Sequence, residues 1–213
     1  MRLRTIIIAS LVACTCACQQ QEQPAAADES DTNSVIETIM ARHSIRQYTD
    51  QPVSHDTLAT LVECGINAPN GMNKQPWQIR VVEDKEFIDA TTAIYREKNA
   101  DRVAQDSTFK NMYRNAPSLI CVATPKDKSG QVDAGMLGEN IMIAAQSMGL
   151  GTCCLGGPVR FLLDTPECKP YVDRLNIPAD YELNFIIAVG YPAETPDAKP
   201  RDTSKIEYIV PAE

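Results

Sequence analysis

The run Asn184–Val189, halted by Gly190-Tyr191-Pro192, constrains the fold of this chain most. A stretch this apolar and this short leaves water most economically as a buried strand. A second run, Ser118–Thr124, is bounded by Pro117 and Pro125. A third, Gln78–Glu83, carries Ile79, Val81 and Val82 behind Trp77. Helical periodicity fills the intervals. Ser34 with Glu37 reads as a capping box opening a helix that carries Val35, Ile36, Ile39 and Met40 and ends near Arg42. Ser54 opens a second helix with Leu58, Leu61, Val62 and Ile66, which must stop before Pro69. Lys85–Asn99 is helical. Asp133–Met148 places Leu137, Ile141, Ala144, Ala145 and Met148 on one face, with Gly149 as the residue past its end. Leu150–Leu155 is a loop or short strand. The order predicts an α+β domain, with helices packed around a small mixed β-sheet. Gly149-Leu150-Gly151 lacks the third glycine of a dinucleotide fingerprint and follows a helix, which argues against a doubly wound fold.

The N-terminus reads as an export signal. Met1-Arg2-Leu3-Arg4 precedes an apolar stretch from Ile6 to Ala13, too short to span a bilayer as a permanent helix. Leu11-Val12-Ala13-Cys14 has the form of a bacterial lipobox, with residues 1–13 as signal peptide and Cys14 as the lipidated residue. Ala17-Cys18 is the alternative cleavage point, and the position of Leu11 favours Cys14. The expectation is a lipoprotein, exported and membrane-anchored on the periplasmic or cell-surface side. Residues 14–33, rich in Gln, Ala, acids and Pro, read as a flexible tether. The folded domain then spans 34–213.

The net charge of −8 and the lack of a basic stripe argue against nucleic-acid binding. An acidic surface also disfavours anionic substrates at long range. Of eight cysteines, five (Cys64, Cys121, Cys153, Cys154 and Cys168) fall in the domain, an odd number that makes no tidy disulfide framework. With two histidines and no CxxC, no metal site is expected. For Cys153-Cys154 packing is the default, because a vicinal disulfide is strained.

Four segments carry chemistry. Arg42-His43-Ser44-Ile45-Arg46 sets two guanidinium groups and a hydroxyl close together, a tool for holding phosphate or an electron-rich heterocycle. Taken alone it reads first as a solvated, basic helix end complementing the macrodipole. Pro69-Asn70-Gly71-Met72-Asn73-Lys74-Gln75-Pro76-Trp77 is a turn-rich loop running into an apolar Trp. Gly149–Gly157 is a glycine-rich segment, and Lys199-Pro200-Arg201 a basic one in a polar tail.

In this order and spacing the four segments resemble the FMN-dependent nitroreductase family, over nearly the whole of Ser34–Ile209. The resemblance implies a nitroreductase-like fold assembled as an intertwined homodimer, with FMN at the subunit interface. It implies flavin contacts from Arg42, His43, Ser44 and Arg46, from Pro69, Asn70, Gly71, Asn73 and Gln75, and from Cys154, Leu155, Gly156 and Gly157. Lys199 and Arg201 would close on the phosphate. Gly156-Gly157 stands where some members have an acidic residue and glycine, which leaves donor and substrate preference open. The Arg motif and Arg201 would come from one subunit and the Pro69–Asn70 region from the other. The implied chemistry is ping-pong hydride transfer at flavin N5 to nitroaromatic, quinone or similar small oxidised acceptors, with no catalytic side chain required. NAD(P)H is the donor the family implies, yet it is scarce outside the cytoplasm. The alternative is a non-catalytic lipoprotein that binds flavin or another heterocycle. The segment between Glu97 and Arg114 is short against the helical insertions that cover the flavin in some members. It predicts a more open pocket, or a lid made by that segment.

Overall fold

The computed structural model describes residues 29–211, with side chains from Ser34 onward. The expected signal segment and Cys14 lie outside the described residues. The helices are α1 (Glu29–Ala41), α2 (His55–Ile66), α3 (Lys85–Lys98), α4 (Ala100–Ala104), α5 (Gln131–Ser147), α6 (Gly157–Asp164) and α7 (Lys169–Arg174). The strands are β1 (Gln78–Val82), β2 (Ser118–Pro125), β3 (Gly151–Leu155) and β4 (Tyr181–Gly190). The expected α+β architecture is observed.

The sheet runs β1-β2-β4-β3 with every ladder antiparallel. Among the described residues, parallel pairing is confined to an isolated bridge, Ser44 to Thr152. Of the three apolar runs singled out in the sequence, Ser118–Thr124 and Asn184–Val189 fall in the inner strands β2 and β4, and Gln78–Glu83 forms the edge strand β1. Alternate residues face opposite layers, as a pleat requires. Ile120, Val122, Ile187 and Val189 pack with Leu58 and Leu61 of α2 and Leu137 and Ile141 of α5. Leu119, Cys121, Ile186 and Ala188 pack with Phe87 of α3, Leu162 of α6 and Tyr113. Asn184 has no partner, because Val122 faces Phe185 while Ala123 faces Leu183. That bulge puts Leu183 and Ile186 on the same layer despite their odd spacing.

Local signals set several boundaries. Ser54 Oγ accepts from the Thr57 N–H at 3.2 Å and caps α2. Gly149, at φ 73°, ends α5 in a Schellman arrangement, with the Leu150 N–H on Ala145 O at 2.8 Å. Met148, expected on the buried face, is the C-cap and is exposed. The capping box at Ser34 is overturned. The helix already runs from Glu29, and the Ser34 carbonyl accepts from Thr38 Oγ1 at 2.8 Å. Glu-Ser-Asp-Thr-Asn at 29–33 supplies acids suited to a helix start, so five residues of the expected tether are helical. α4, α6 and α7 had no clear signature, being only five, eight and six residues long.

Two substitutions test this packing. Ile141→Ala, at the fully buried centre of α5, is expected to lower the free energy of unfolding by about 2–5 kcal/mol in a urea titration. A Cβ on Gly151 would sit 2.7 Å from Ile45 Cγ1 and 2.9 Å from its Cβ, so Gly151→Val is expected to cost about 1–3 kcal/mol by the same measurement.

Candidate functional site

The chain leaves α1 at Ala41, and the Arg motif runs on extended rather than as a helical turn. The Ile45 N–H donates to Thr152 O at 2.9 Å, laying Ser44–Ile45 along the edge of β3. The segment after β4 pairs on the same stretch. Thr49 N donates to Tyr191 O at 2.9 Å, and Ala193 N to Gln47 O at 2.9 Å. The Glu194 carboxylate accepts from the backbone N–H of Arg46 and, at 3.2 Å, from that of Gln47. The polar tail is thereby led back over the Arg motif.

A small cavity of about 100 Å³ results, lined by Arg42, His43, Ser44, Arg46, Lys199 and Arg201 together with Pro196 and Asp197. Two segments about 155 residues apart thus converge on one cavity. Arg42 Nε lies 3.4 Å from Glu139 Oε1 but is buried without a hydrogen bond. Arg46 Nη1 donates to Ser44 O at 3.2 Å, and Arg201 Nη1 to Lys199 O at 3.1 Å.

Arg46 also lines a larger cleft of about 880 Å³, the size of a typical small-molecule site. Its β3 side is Cys153, Cys154, Leu155, Gly156 and Gly157, so the glycine-rich segment lines this cleft. Gly156 caps α6 without a side-chain hydrogen bond, and nothing stands within 4 Å of a Cβ built on Gly156 or Gly157. The backbone of this helix start is therefore accessible to a planar ligand, and its N–H groups suit developing negative charge. All five described cysteines are free. Burial pushes the Cys153 thiol up, against the lowering fields of Arg46 and Arg114 and a hydrogen bond with Ser44. Burial, Cys153 and Glu139 push Cys154 up as well. Both are neutral thiols at neutral pH.

The other wall is the segment between α3 and β2. It is the short segment the sequence marks out, and it borders the cleft through Asn99, Arg102, Asp106, Phe109, Asn111 and Arg114. Arg114 and Asn115 both adopt left-handed backbone, φ 60° and 67°. Such conformations cost about 1–3 kcal/mol each and persist only where the surroundings over-determine them. Here two amides do so. Asn115 Oδ1 accepts from Lys110 N at 2.7 Å and Asn111 N at 3.0 Å, while its Nδ2 donates to Gln47 Oε1 at 3.0 Å and Thr108 O at 2.9 Å. Asn111 Oδ1 accepts from Tyr113 N and Asn115 N, both at 3.0 Å. Gln47 thus ties the wall to the Arg motif.

Pro69, Asn70, Gly71, Asn73 and Gln75 line neither cavity. They fold on themselves: Asn70 Oδ1 accepts from Gln75 N at 2.9 Å, and Met72, Asn73 and Gln75 have φ of 53°, 54° and 49°. This loop leads into β1, one edge of the sheet, whereas the cleft borders β3, the other edge. Three strand spacings, about 14 Å, separate the edges, so a single chain does not join all the expected segments. Sequence reading missed Arg102 and Arg160, which sit in short helices without periodic signal, and Gln47, Arg114 and Asn115, which sit outside any helix or strand. The Asn111–Asn115 pair before Pro117 was the one available hint.

Glu194→Ala removes the acceptor for two backbone amides. It is expected to lower thermal stability by about 1.5–3 kcal/mol and to loosen the small cavity, read as a parallel fall in Tm and in affinity for inorganic phosphate.

Residues 39–191 match the model of the nitroreductase family. The chain is 28% identical over 174 residues to the NADPH-flavin oxidoreductase of Vibrio harveyi, covering 79% of this chain and 70% of that protein. It is 32% identical over 188 residues to the FMN reductase (NADPH) of Bacillus subtilis, covering 83% and 73%. Among solved structures, a nitroreductase with bound FMN from Desulfitobacterium hafniense superposes with a TM-score of 0.71 at 26% identity, over 84% of this chain and 99% of that one. By sequence match and by fold, the chain belongs to the nitroreductase family.

Proposed function

We propose that this protein is an FMN-dependent oxidoreductase that passes two electrons from a reductant to small oxidised acceptors such as quinones and nitroaromatics. The observation that carries the reading is the convergence of Arg42, Arg46, Lys199 and Arg201 on one small cavity that meets the cleft at Arg46. Four cations with Asp197 as the one acid suit a dianionic phosphate, held by fixed guanidinium forks rather than by mobile lysines alone. The accessible start of α6 would suit the ring of a flavin, where its N–H groups would stabilise negative charge. FMN bound there supplies hydride chemistry in two half-reactions, with NAD(P)H as the donor that the relatives' names favour. The chain's own residues bind, orient and tune; no side chain need act as acid or base.

The active form is a homodimer in this reading. α1 leaves Val35, Ile36, Ile39 and Met40 half or more exposed, α5 exposes Val132, and the tail exposes Tyr208 and Ile209. Apolar faces of this extent call for a partner. A second copy would also supply the Asn70–Gln75 loop that one chain keeps away from its own cleft. Export as a lipoprotein through Cys14 is a further proposal, resting on Leu11-Val12-Ala13-Cys14; a Cys14→Ser chain should lose incorporation of labelled palmitate.

Three measurements check this. Purified protein should bind FMN at one per subunit, with flavin absorbance bleached anaerobically by NADPH and restored by a quinone. Arg46→Ala and Arg201→Ala should each weaken FMN binding about 10–100-fold in a fluorescence titration, the effect of losing a charge-assisted hydrogen bond. Ile39→Asp should shift the dimer toward monomer in sedimentation and release flavin together with the partner. Retention of flavin by a stable monomer would overturn the shared site.

A further inference from the structure

The cleft carries charge that the phosphate cavity leaves unused. Arg102 of α4, Arg114 of the strained turn and Arg160 of α6 all line it. Among the described residues, none of these three side chains donates a hydrogen bond or lies in an ion pair. Nearby Arg96 shows the contrast. Its Nη2 donates to the carbonyls of Phe109 at 3.3 Å and Lys110 at 2.9 Å, and its guanidinium stacks 4.7 Å from the Phe109 ring centre. One arginine is thus spent on structure and three are left facing a cavity. Of the two acids that line it, Asp106 is turned onto Thr108, accepting from its N at 3.0 Å and its Oγ1 at 2.7 Å, and feels the field of Arg114 without forming an ion pair, which leaves Asp164 as the other acid facing Arg102 and Arg160. The chain as a whole is acidic, at −8, so the cleft inverts the sign of its surroundings and focuses anions.

The same wall is aromatic. Tyr95 stacks on Phe109 at 5.9 Å and 15°, and meets Phe161 edge-on at 5.0 Å and 69°; all three line the cleft. Flat apolar plates beside unpaired planar guanidinium groups match a flat ring bearing an acid. Arg114 is held there by a backbone conformation that the Asn111–Asn115 amides maintain, so its placement is built rather than incidental.

We propose that the physiological acceptor is a planar conjugated molecule carrying a carboxylate or sulfonate, its acid held by Arg102, Arg114 and Arg160 and its ring by Tyr95, Phe109 and Phe161. The inference rests on the oxidoreductase reading above and assigns that site its substrate class. For a quinone sulfonate, one NADPH and one proton are consumed, the quinone gains two electrons and two protons to become the hydroquinone, NADP+ leaves, and the sulfonate is unchanged. The long-range penalty that an acidic surface places on anions is thus reversed at short range.

The test uses FMN-loaded full-length protein with two matched pairs: naphthoquinone sulfonate against menadione as acceptors, and naphthalene sulfonate against naphthalene methanol as unreactive ligands. The wild-type protein should favour the sulfonate in each pair. In Arg102→Gln/Arg160→Gln the sulfonate-to-neutral ratio, in kcat/KM and in binding, should fall about tenfold or more, and Arg102→Lys/Arg160→Lys should restore part of it. The wild-type ratio should also fall as salt rises from about 0.01 M to about 1 M, where the Debye length shrinks from about 30 Å to about 3 Å. This last arm needs no variant to fold. Equal binding of the two unreactive ligands by the wild type, or a ratio that survives both the double substitution and high salt, overturns the proposal. A variant that loses NADPH affinity while keeping the sulfonate ratio overturns it too, assigning the arginines to the donor. A sulfonate preference in binding without any quinone reduction supports the anion site and overturns the oxidoreductase reading instead.

Discussion

Everything at the site hangs on the pairing of one extended stretch, Ser44–Thr49, between the edge of β3 and the chain that follows β4. The contact is made of backbone hydrogen bonds, Ile45 N–H to Thr152 O on one side and Thr49 N–H to Tyr191 O on the other. Gly151 permits it, since any Cβ there would meet Ile45 within 3 Å. Tyr48 locks it from beneath, its hydroxyl donating to Ile45 O at 2.7 Å from a buried position. Once this stretch is fixed, Arg42 and Arg46 have defined positions and the tail must return with Lys199 and Arg201.

The cost of bringing several cations together is met by geometry rather than by neutralisation. Glu194 of the tail is spent on the Arg46 and Gln47 amides and so positions the backbone, which leaves Asp197 as the one acid lining the small cavity. Glu139 reaches Arg42 only at 3.4 Å, without a hydrogen bond. What remains is a concentration of positive charge on fixed backbone, an arrangement suited to an anion. The same logic extends through Arg46 into the larger cleft, where further arginines stand unpaired beside aromatic rings.

The second wall shows where strain is stored. Two consecutive left-handed residues, Arg114 and Asn115, would relax if the loop were free, and the crossed amide bonds of Asn111 and Asn115 prevent it. Because Gln47 joins that network, the wall and the Arg motif are one mechanical unit. A loop so constrained behaves as a fixed border of the cleft, which fits the shortness of the Glu97–Arg114 segment better than a hinged lid does.

The sequence by itself determined the layers and the parts list. Apolar runs of period two or continuous burial gave β1, β2 and β4, helical periodicity gave α2, α3 and α5, and the Arg motif, the glycine-rich segment and the basic tail were legible because their residue types are chemically distinctive. These are local signals, carried by neighbours in the chain. The sequence misjudged the start of α1, where an acidic stretch extends the helix beyond an apparent cap, and it was silent on α4, α6 and α7, too short to show a period. Only the tertiary structure decided which parts meet. Sheet order puts β1 and β3 on opposite edges, so the Asn70–Gln75 loop falls away from the cleft that the other segments share. It also decided that arginines from α4, α6 and a strained turn face one cavity, a convergence set by how helices dock on a sheet and written in no stretch of neighbouring residues.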